Sequence, residues 1–361
     1  MIKLIHGADF HLDSPFSGLT PEQAARRREE QRQLLDDLAG LVRDKGADLV
    51  LLSGDLLDSG RVYRETAQAM IQVLGSLPCP VFLAPGNHDP YTPASVYATL
   101  EWPENVHIFR PGPMQSVDLP GLNCTVYGRA FGSAHEGTSP LADFVPPPPD
   151  GQLHLLCLHG DLAPNSPYGP LTPLELAGCG MDYAALGHVH QASRLQRSGS
   201  TFWAYPGCPQ GRGFDELGEK GVLYVEVEPG NVTAQFCPLS RWVYRERTVD
   251  VTSVSALEAI LSALPQDTQN EICRLTLTGQ WADPDLPALE GALAGRFAAL
   301  TLRDRTRLPQ DLWARREEDT LTGAFLRLMW EKCQAEPEDQ TLQLAVRFGL
   351  AALENGEDIA L

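Results

Sequence analysis

Apolar positions in the first ninety residues fall into short runs separated by amphipathic stretches, and each run leads into a polar cluster. Residues 2–5 precede Asp9-x-His11, residues 48–52 precede Gly54-Asp55, and residues 81–84 precede Gly86-Asn87-His88. Runs of this length, rich in Val, Ile and Leu, read as buried strands. The stretch after the first cluster opens on Thr20-Pro21-Glu22-Gln23, where Thr caps, Pro takes the first turn and Gln closes a capping box. Gly46 is placed to end that helix. A second helix is predicted over 63–77, stopped at Pro78. A β-α-β-α-β order predicts parallel strands, whose functional loops gather at their carboxyl ends. The polar clusters lie at those ends.

After Pro90 the pattern loosens into short strands, including 125–127, and a proline run from Pro146 to Pro149 reads as a surface connection. Strand signals return at 153–158, 183–186 and 202–205, and the first two again deliver histidines. Residues 221–228 and 231–238 flank Pro229-Gly230 as a hairpin. Beyond it, strands over 244–251, 272–278 and 300–303 alternate with helices over 255–264 and 286–297. Two more helices are predicted at 319–333 and 338–353; in the first, Leu321, Phe325, Leu328 and Met329 recur at helical spacing. The expected layout is a catalytic domain over 1–240, a small α/β cap over 241–308, and a C-terminal helical segment over 309–361 that could dock a partner. A fold of class α/β follows.

With 361 residues, the chain is long enough for more than one core. No apolar run reaches the ~18 residues of a membrane span, and no cleavable signal pattern opens the chain, so a cytoplasmic protein is expected. Eight cysteines without a C-x-x-C pair predict reduced, buried thiols rather than a disulfide framework or a zinc-thiolate site. The net charge of −19 counts against strong unaided binding to nucleic acid.

Five clusters carry the chemistry: Asp9-x-His11, Gly54-Asp55-x-x-Asp58, Gly86-Asn87-His88-Asp89, His159-Gly160 and Gly187-His188-x-His190. Any one is commonplace. Five in this order, each after a strand, supply carboxylate, imidazole and amide groups able to hold two divalent cations against a phosphodiester. Asp9 and His11, two apart on an extended segment, are expected to point the same way and share one cation with His190. Asp55 offers a bridging carboxylate. Asn87, His159 and His188 would complete the second metal. A nitrogen and oxygen set without thiolate suits manganese, iron or zinc, and manganese is preferred. His88 adjoins a ligand yet is needed by neither metal, so it is free to act as a general acid. Asp58 and Asp89 are candidates to orient a histidine through its second nitrogen or to stabilise a loop. Arg129 and Arg212 are candidates for phosphate at the rim, against ordinary solvent exposure. His6, His107, His135 and His154 match no ligand slot and read as surface or satisfied core residues.

At these residues the chain resembles the calcineurin-like metallophosphoesterase superfamily. The strings from His11 to Phe16, from Asp182 to His190 and from Tyr205 to Arg212 resemble bacterial DNA-repair exonucleases of the SbcD and YhaO type. That resemblance, over about residues 1–240, implies a β-sandwich flanked by helices. It implies manganese on Asp9, His11, Asp55 and His190, a second manganese on Asp55, Asn87, His159 and His188, and His88 as the catalytic histidine. It also implies DNA as substrate, often with an ABC-type ATPase bearing long coiled coils; a homodimer is also open to it. The competing expectations are a phosphodiesterase or phosphatase acting on a small nucleotide or a phosphoprotein, and a scaffold without activity.

Overall fold

The apolar runs at the start of the chain form β1 (Ile2–Gly7), β2 (Leu49–Leu52) and β3 (Val81–Leu83), and β4 (Val106–Ile108) continues the series. All four are parallel neighbours. Helices α1 (Pro21–Lys45) and α2 (Arg64–Gly75) connect the first three strands, and a short α3 (Val96–Thr99) precedes β4. The capping box at Thr20 and Gln23 is present, and Gly46 ends α1 with φ 58°. In this computed structural model, residues 1–163, 165–252, 255–282, 284–336 and 339–355 are described. They divide into two units, Met1–Val243 and Tyr244–Leu361.

A second sheet follows: β5 (Gln115–Leu119), β6 (Cys124–Arg129), β7 (Leu153–His159), β8 (Tyr183–Gly187), β9 (Gln196–Ser198) and β10 (Thr201–Ala204), with α4 (Pro173–Gly178) between β7 and β8. The chain then returns to the first sheet as the hairpin β11 (Gly221–Glu228) and β12 (Asn231–Pro238), with β11 antiparallel to β1. The strand orders are β12-β11-β1-β2-β3-β4 and β5-β6-β7-β8-β10-β9.

Side-chain alternation explains the layering. Leu4, Leu49, Leu51 and Phe82 of the first sheet share one core with Leu155, Cys157, Tyr183 and Ala185 of the second. Their strand neighbours Ile5, Val50, Leu52 and Val81 face the other way, onto Leu34, Leu38, Met70 and Leu74 of α1 and α2. On the far side, Leu156, Leu158, Ala184 and Leu186 pack with Leu171 and Leu176. The result is a helix-sheet-sheet-helix sandwich. All eight cysteines are free and buried, and no helix among the described residues is long and apolar enough to cross a membrane.

Polar links pin the two sheets at their carboxyl ends. His6 is a satisfied core residue: its Nδ1 lies 2.8 Å from the Tyr183 hydroxyl and its Nε2 3.2 Å from Leu186 O. Burial holds its pKa at about 3, so it is neutral. Ser53 Oγ donates to Ala185 O at 2.9 Å. The sheets come so close here that a Cβ on Gly187 would stand 1.8 Å from Ser53 O. Unlike His6, His107 keeps a buried Nε2 without a hydrogen-bond partner among the described residues, its ring lying against Phe82 and Phe109.

In the second unit, β13 (Val243–Asp250), β14 (Glu271–Thr278) and β15 (Ala299–Asp304) form a sheet in that order, covered by α5 (Ala256–Ala263) and α6 (Leu286–Leu293). The predicted helix over 286–297 ends early because Gly295 takes φ +80°. Helices α7 (Gln310–Ala314), α8 (Leu321–Ala335) and α9 (Gln340–Asn355) build their own core around Trp313, Leu326, Met329 and Val346. Thr320 caps α8, two residues later than the predicted start, whereas residue 338, the predicted start of α9, lies outside the described residues. Met329 is buried and the Phe325 ring lies against Gly349, so these two serve internal packing rather than a free stripe. Leu321 and Leu328 remain 73% and 58% exposed.

Gly187→Ala is expected to cost about 3 kcal/mol, the upper end for overpacking, because backbone must move to admit the methyl group. Urea unfolding checks this; a midpoint equal to that of the wild type would show that the sheets yield freely there.

Candidate metal centre

Every cluster lies at or just beyond the carboxyl end of a strand: β1 for Asp9 and His11, β2 for Asp55, β3 for Asn87, β7, which His159 ends, and β8 for His188 and His190. The expectation that Asp9 and His11 lie on an extended segment is not met. Strand β1 ends at Gly7, and Asp9 and His11 take left-handed φ values of 54° and 45°. Backbone hydrogen bonding causes this: Asp9 N–H donates to Gly54 O and His11 N–H to Asp55 O, both at 3.0 Å, lacing the first two loops together. Glycine supplies the room. A Cβ on Gly54 would lie 2.4 Å from the His159 ring, and one on Gly86 would lie 2.3 Å from Asp55 Oδ1.

Ligand atoms of Asp9, His11 and His190 fall within 4.8 Å of one another, as do those of Asp9, Asp55 and His159. His11 Nε2 faces His190 Nε2 at 3.1 Å and Asp55 Oδ2 at 3.8 Å. On the other side, His159 Nε2 lies 3.4 Å from Asp55 Oδ2 and 2.9 Å from Asn87 Oδ1, and His188 Nδ1 lies 3.2 Å from the same amide oxygen. Two groups of donors therefore meet at Asp55.

Burial lowers the pKa of His11, His159 and His188 to about 4, leaving neutral rings with free lone pairs at pH 7. Asp9 is pushed well above the usual carboxylate range, first by burial and then by Asp55, although the His188 N–H and Arg212 oppose this. Buried carboxylates beside lone pairs aimed at each other are a donor set lacking positive charge. Divalent cations fit it, and the absence of thiolate suits metals that take oxygen and imidazole.

The second nitrogen of His190 and of His159 is hydrogen-bonded to an oxygen, and those of His188 and His11 lie near a carboxylate. His190 Nδ1 meets Glu216 Oε1 at 2.6 Å, His159 Nδ1 meets Ser53 O at 3.0 Å, and His188 Nε2 stands 3.8 Å from Asp161 Oδ2. His11 Nδ1 lies 3.3 Å from Asp58 Oδ1, out of line for a hydrogen bond. Such partners select the tautomer whose other nitrogen can bind a metal. Burial would raise the Glu216 pKa, yet hydrogen bonds from His190 and Arg212 hold it far below the usual carboxylate range.

Arg212 is neither an exposed arginine nor an open phosphate ligand. Its guanidinium is clamped at 2.9 Å by Asp58 on one side and Glu216 on the other. Arg129 pairs with Glu136 at 2.7 Å. Asp89 braces its loop: its oxygens accept from Gly86 N–H, Leu57 N–H and the Tyr97 hydroxyl. His88 is exposed, with Nδ1 3.1 Å from Asp58 O and its ring edge-on to His11 at 4.7 Å. Sequence reasoning misses Glu216 and Asp161, although Asp161 directly follows His159-Gly160; the only pointer to Glu216 is its place four residues after Arg212.

Residues 2–192 match the family described as calcineurin-like phosphoesterase. The chain is similar to the uncharacterized metallophosphoesterase YhaO of Bacillus subtilis, at 30% identity over 323 residues, spanning 83% of this chain and 77% of that protein. It is similar at 22% identity to the D component of the SbcCD nuclease of B. subtilis, over 63% of this chain and 67% of the relative. At 24% identity it resembles the DNA double-strand break repair protein Mre11 of Methanopyrus kandleri, over 64% of this chain and 55% of that protein.

Because both donor groups meet at Asp55, Asp55→Asn is expected to weaken metal uptake at two sites together. Metal analysis of the purified variant decides this, and two tightly retained ions would show that the carboxylate is not shared. Glu216→Gln should loosen His190 and lower metal affinity about 10- to 100-fold, the usual effect of losing such a partner. Titration with manganese reads it out; unchanged affinity would reduce Glu216 to a partner of Arg212.

Proposed function

This chain belongs to the calcineurin-like phosphoesterase family, and on that premise we propose that it is a two-metal DNA nuclease working in DNA repair. The observation that carries the phosphodiesterase part is Asp55 Oδ2 lying between His11 Nε2, at 3.8 Å, and His159 Nε2, at 3.4 Å, with His88 beside it. Asp9, His11, Asp55 and His190 would hold one cation, and Asp55, Asn87, His159 and His188 the other, manganese being the best match to the donors. Bound cations supply an activated water and neutralise phosphate charge.

The chain's own groups do the rest. Glu216 and Ser53 O keep His190 and His159 in the ligating tautomer. Asp58 O, an acceptor, faces His88 Nδ1 at 3.1 Å, so Nδ1 donates; as general acid the ring would be the imidazolium, giving its Nε2 proton to the leaving oxygen and ending as the neutral Nδ1–H form. Asp55 also anchors this loop, since its Oδ1 accepts from His88 N–H at 2.9 Å.

Support for DNA as substrate comes from the two nuclease and repair relatives and from one edge of the site. Tyr63 donates its N–H to Asp13, two residues beyond His11, and Arg28 lies 5.0 Å over the Tyr63 ring. Arg61 and Arg64 flank that tyrosine and are exposed. None of the three arginines has a carboxylate within 4.0 Å among the described residues, in a chain whose net charge is −19. Cations left unpaired beside a metal centre favour a phosphate backbone. The acidic balance elsewhere favours the second reading, a small phosphodiester or phosphoprotein, and also a partner that extends the binding surface. A coiled-coil ATPase is the partner proposed, since one relative is itself a component of a larger nuclease. Eight buried free thiols suit a reducing compartment, the cytoplasm.

The deciding assay presents the purified chain and manganese with a labelled DNA end, a cyclic nucleotide and a chromogenic phosphodiester. Cleavage of DNA supports the nuclease; turnover of the cyclic nucleotide alone supports the second reading. His88→Ala is expected to keep metal content and lower turnover by about 10²–10⁴, the range for a lost general acid. Loss of metal with loss of rate would make His88 structural instead. Replacing Arg28, Arg61 and Arg64 by Gln should reduce the slope of log affinity against log salt by about 2–3, at roughly 0.7–0.9 for each phosphate no longer neutralised. An unchanged slope removes that edge from the DNA path.

A further inference from the structure

Beside the metal centre, three rings run outward from His188. The His188 ring lies 5.2 Å from the Tyr168 ring at 38°, and Tyr168 lies 5.5 Å from His135 at 29°, a stacked pair. His188 and Tyr168 are half-buried, whereas His135 is exposed. Neither the Tyr168 hydroxyl nor either ring nitrogen of His135 has a hydrogen-bond partner among the described residues. An aromatic row with unspent polar atoms, beginning on a candidate ligand and ending in solvent, is not what core packing requires.

The backbone beneath the row is fixed. Residues Glu136 and Tyr168 form a β-bridge, with Glu136 N–H donating to Pro167 O and Gly169 N–H donating to Glu136 O, both at 2.8 Å. The Glu136 carboxylate is in turn held by Arg129 and by Gly132 N–H, each at 2.7 Å. Rings carried on a braced loop lose little freedom when a flat partner settles on them.

We propose that Tyr168 and His135 form a stacking platform for the nucleobase next to the phosphodiester held at the metal centre. This rests on the nuclease reading and deepens it. Every base has a π-face, so recognition of this kind tolerates any sequence. A base inside a duplex is already stacked on both sides, so the platform selects unpaired nucleotides: single strands, frayed ends or flaps. Arg129, a phosphate candidate from the sequence, pairs with Glu136 and braces the platform.

The experiment compares a short single-stranded oligonucleotide with one of equal length built from abasic sites, which keeps the phosphate charge and removes the rings. Affinity of the full chain is read by fluorescence anisotropy with calcium, and cleavage is followed in parallel with manganese. The base-bearing strand should bind about 5- to 150-fold more tightly than the abasic one, the span of stacking on one aromatic platform. His135→Ala and Tyr168→Leu should bring that ratio near 1, and His135→Phe should keep it. Equal affinity of the wild-type chain for both strands, with both cleaved, overturns the platform and leaves the nuclease standing. A ratio untouched by His135→Ala, with metal lost in Tyr168→Leu, also overturns it by reducing the row to a brace for His188. Turnover of a chromogenic phosphodiester with neither oligonucleotide cleaved sinks the nuclease reading and the platform together.

Discussion

Two carboxylates, Asp9 and Asp55, are buried side by side, and most of the local architecture follows from keeping them there. Their oxygens lie within 4.8 Å of each other, where two full charges repel by about 3–4 kcal/mol at an effective dielectric near 20. Burial adds to this, which is why the Asp9 carboxyl titrates well above its usual range. The nearby guanidinium of Arg212 does not settle the imbalance, because Asp58 and Glu216 already claim it. The neutral imidazoles of His11, His159 and His188 add lone pairs and no charge. Divalent cations are the groups that would turn this cluster from a cost into a stable arrangement.

Holding such a cluster requires loops that would not adopt these shapes alone. Asp9, His11 and Asp55 sit at positive φ, a conformation that costs about 1 kcal/mol or more per residue outside glycine. Reciprocal backbone bonds between the first two loops, and the approach of the sheets at Ser53 and Gly187, over-determine that geometry. Buried His6 and its link to Tyr183 tie β1 to β8 just below the site. Stability of the sandwich and precision of the donor set are therefore one property, since both depend on how closely the two sheets meet.

Much of this is legible in the chain because local signals and tertiary demands agree. Residues 2–5, 48–52 and 81–84 read as strands, since they are buried on both faces, and α1 announces itself through Thr20, Gln23 and Gly46. The order of the clusters points to the family. Legibility fails where the cause is non-local. The left-handed turns at Asp9 and His11 arise from bonds to a loop more than forty residues away, so an extended segment is the natural expectation. Glu216 lies 26 residues beyond its partner His190 in a stretch without periodicity. Arg212 reads as a candidate for substrate because the carboxylates that immobilise it come from two separate segments. Phe325 and Met329 read as a stripe, and only the return of α9 shows them to be covered. His135 reads as an ordinary surface histidine because nothing in its own segment indicates Tyr168.

The most direct test of a shared carboxylate is a crystal structure of the chain grown with manganese, with anomalous difference density collected at the metal's absorption edge. Two peaks about 3.5–4 Å apart, with the Asp55 carboxylate touching both, is the predicted result. A single peak, or two peaks of which Asp55 touches only one, would contradict it.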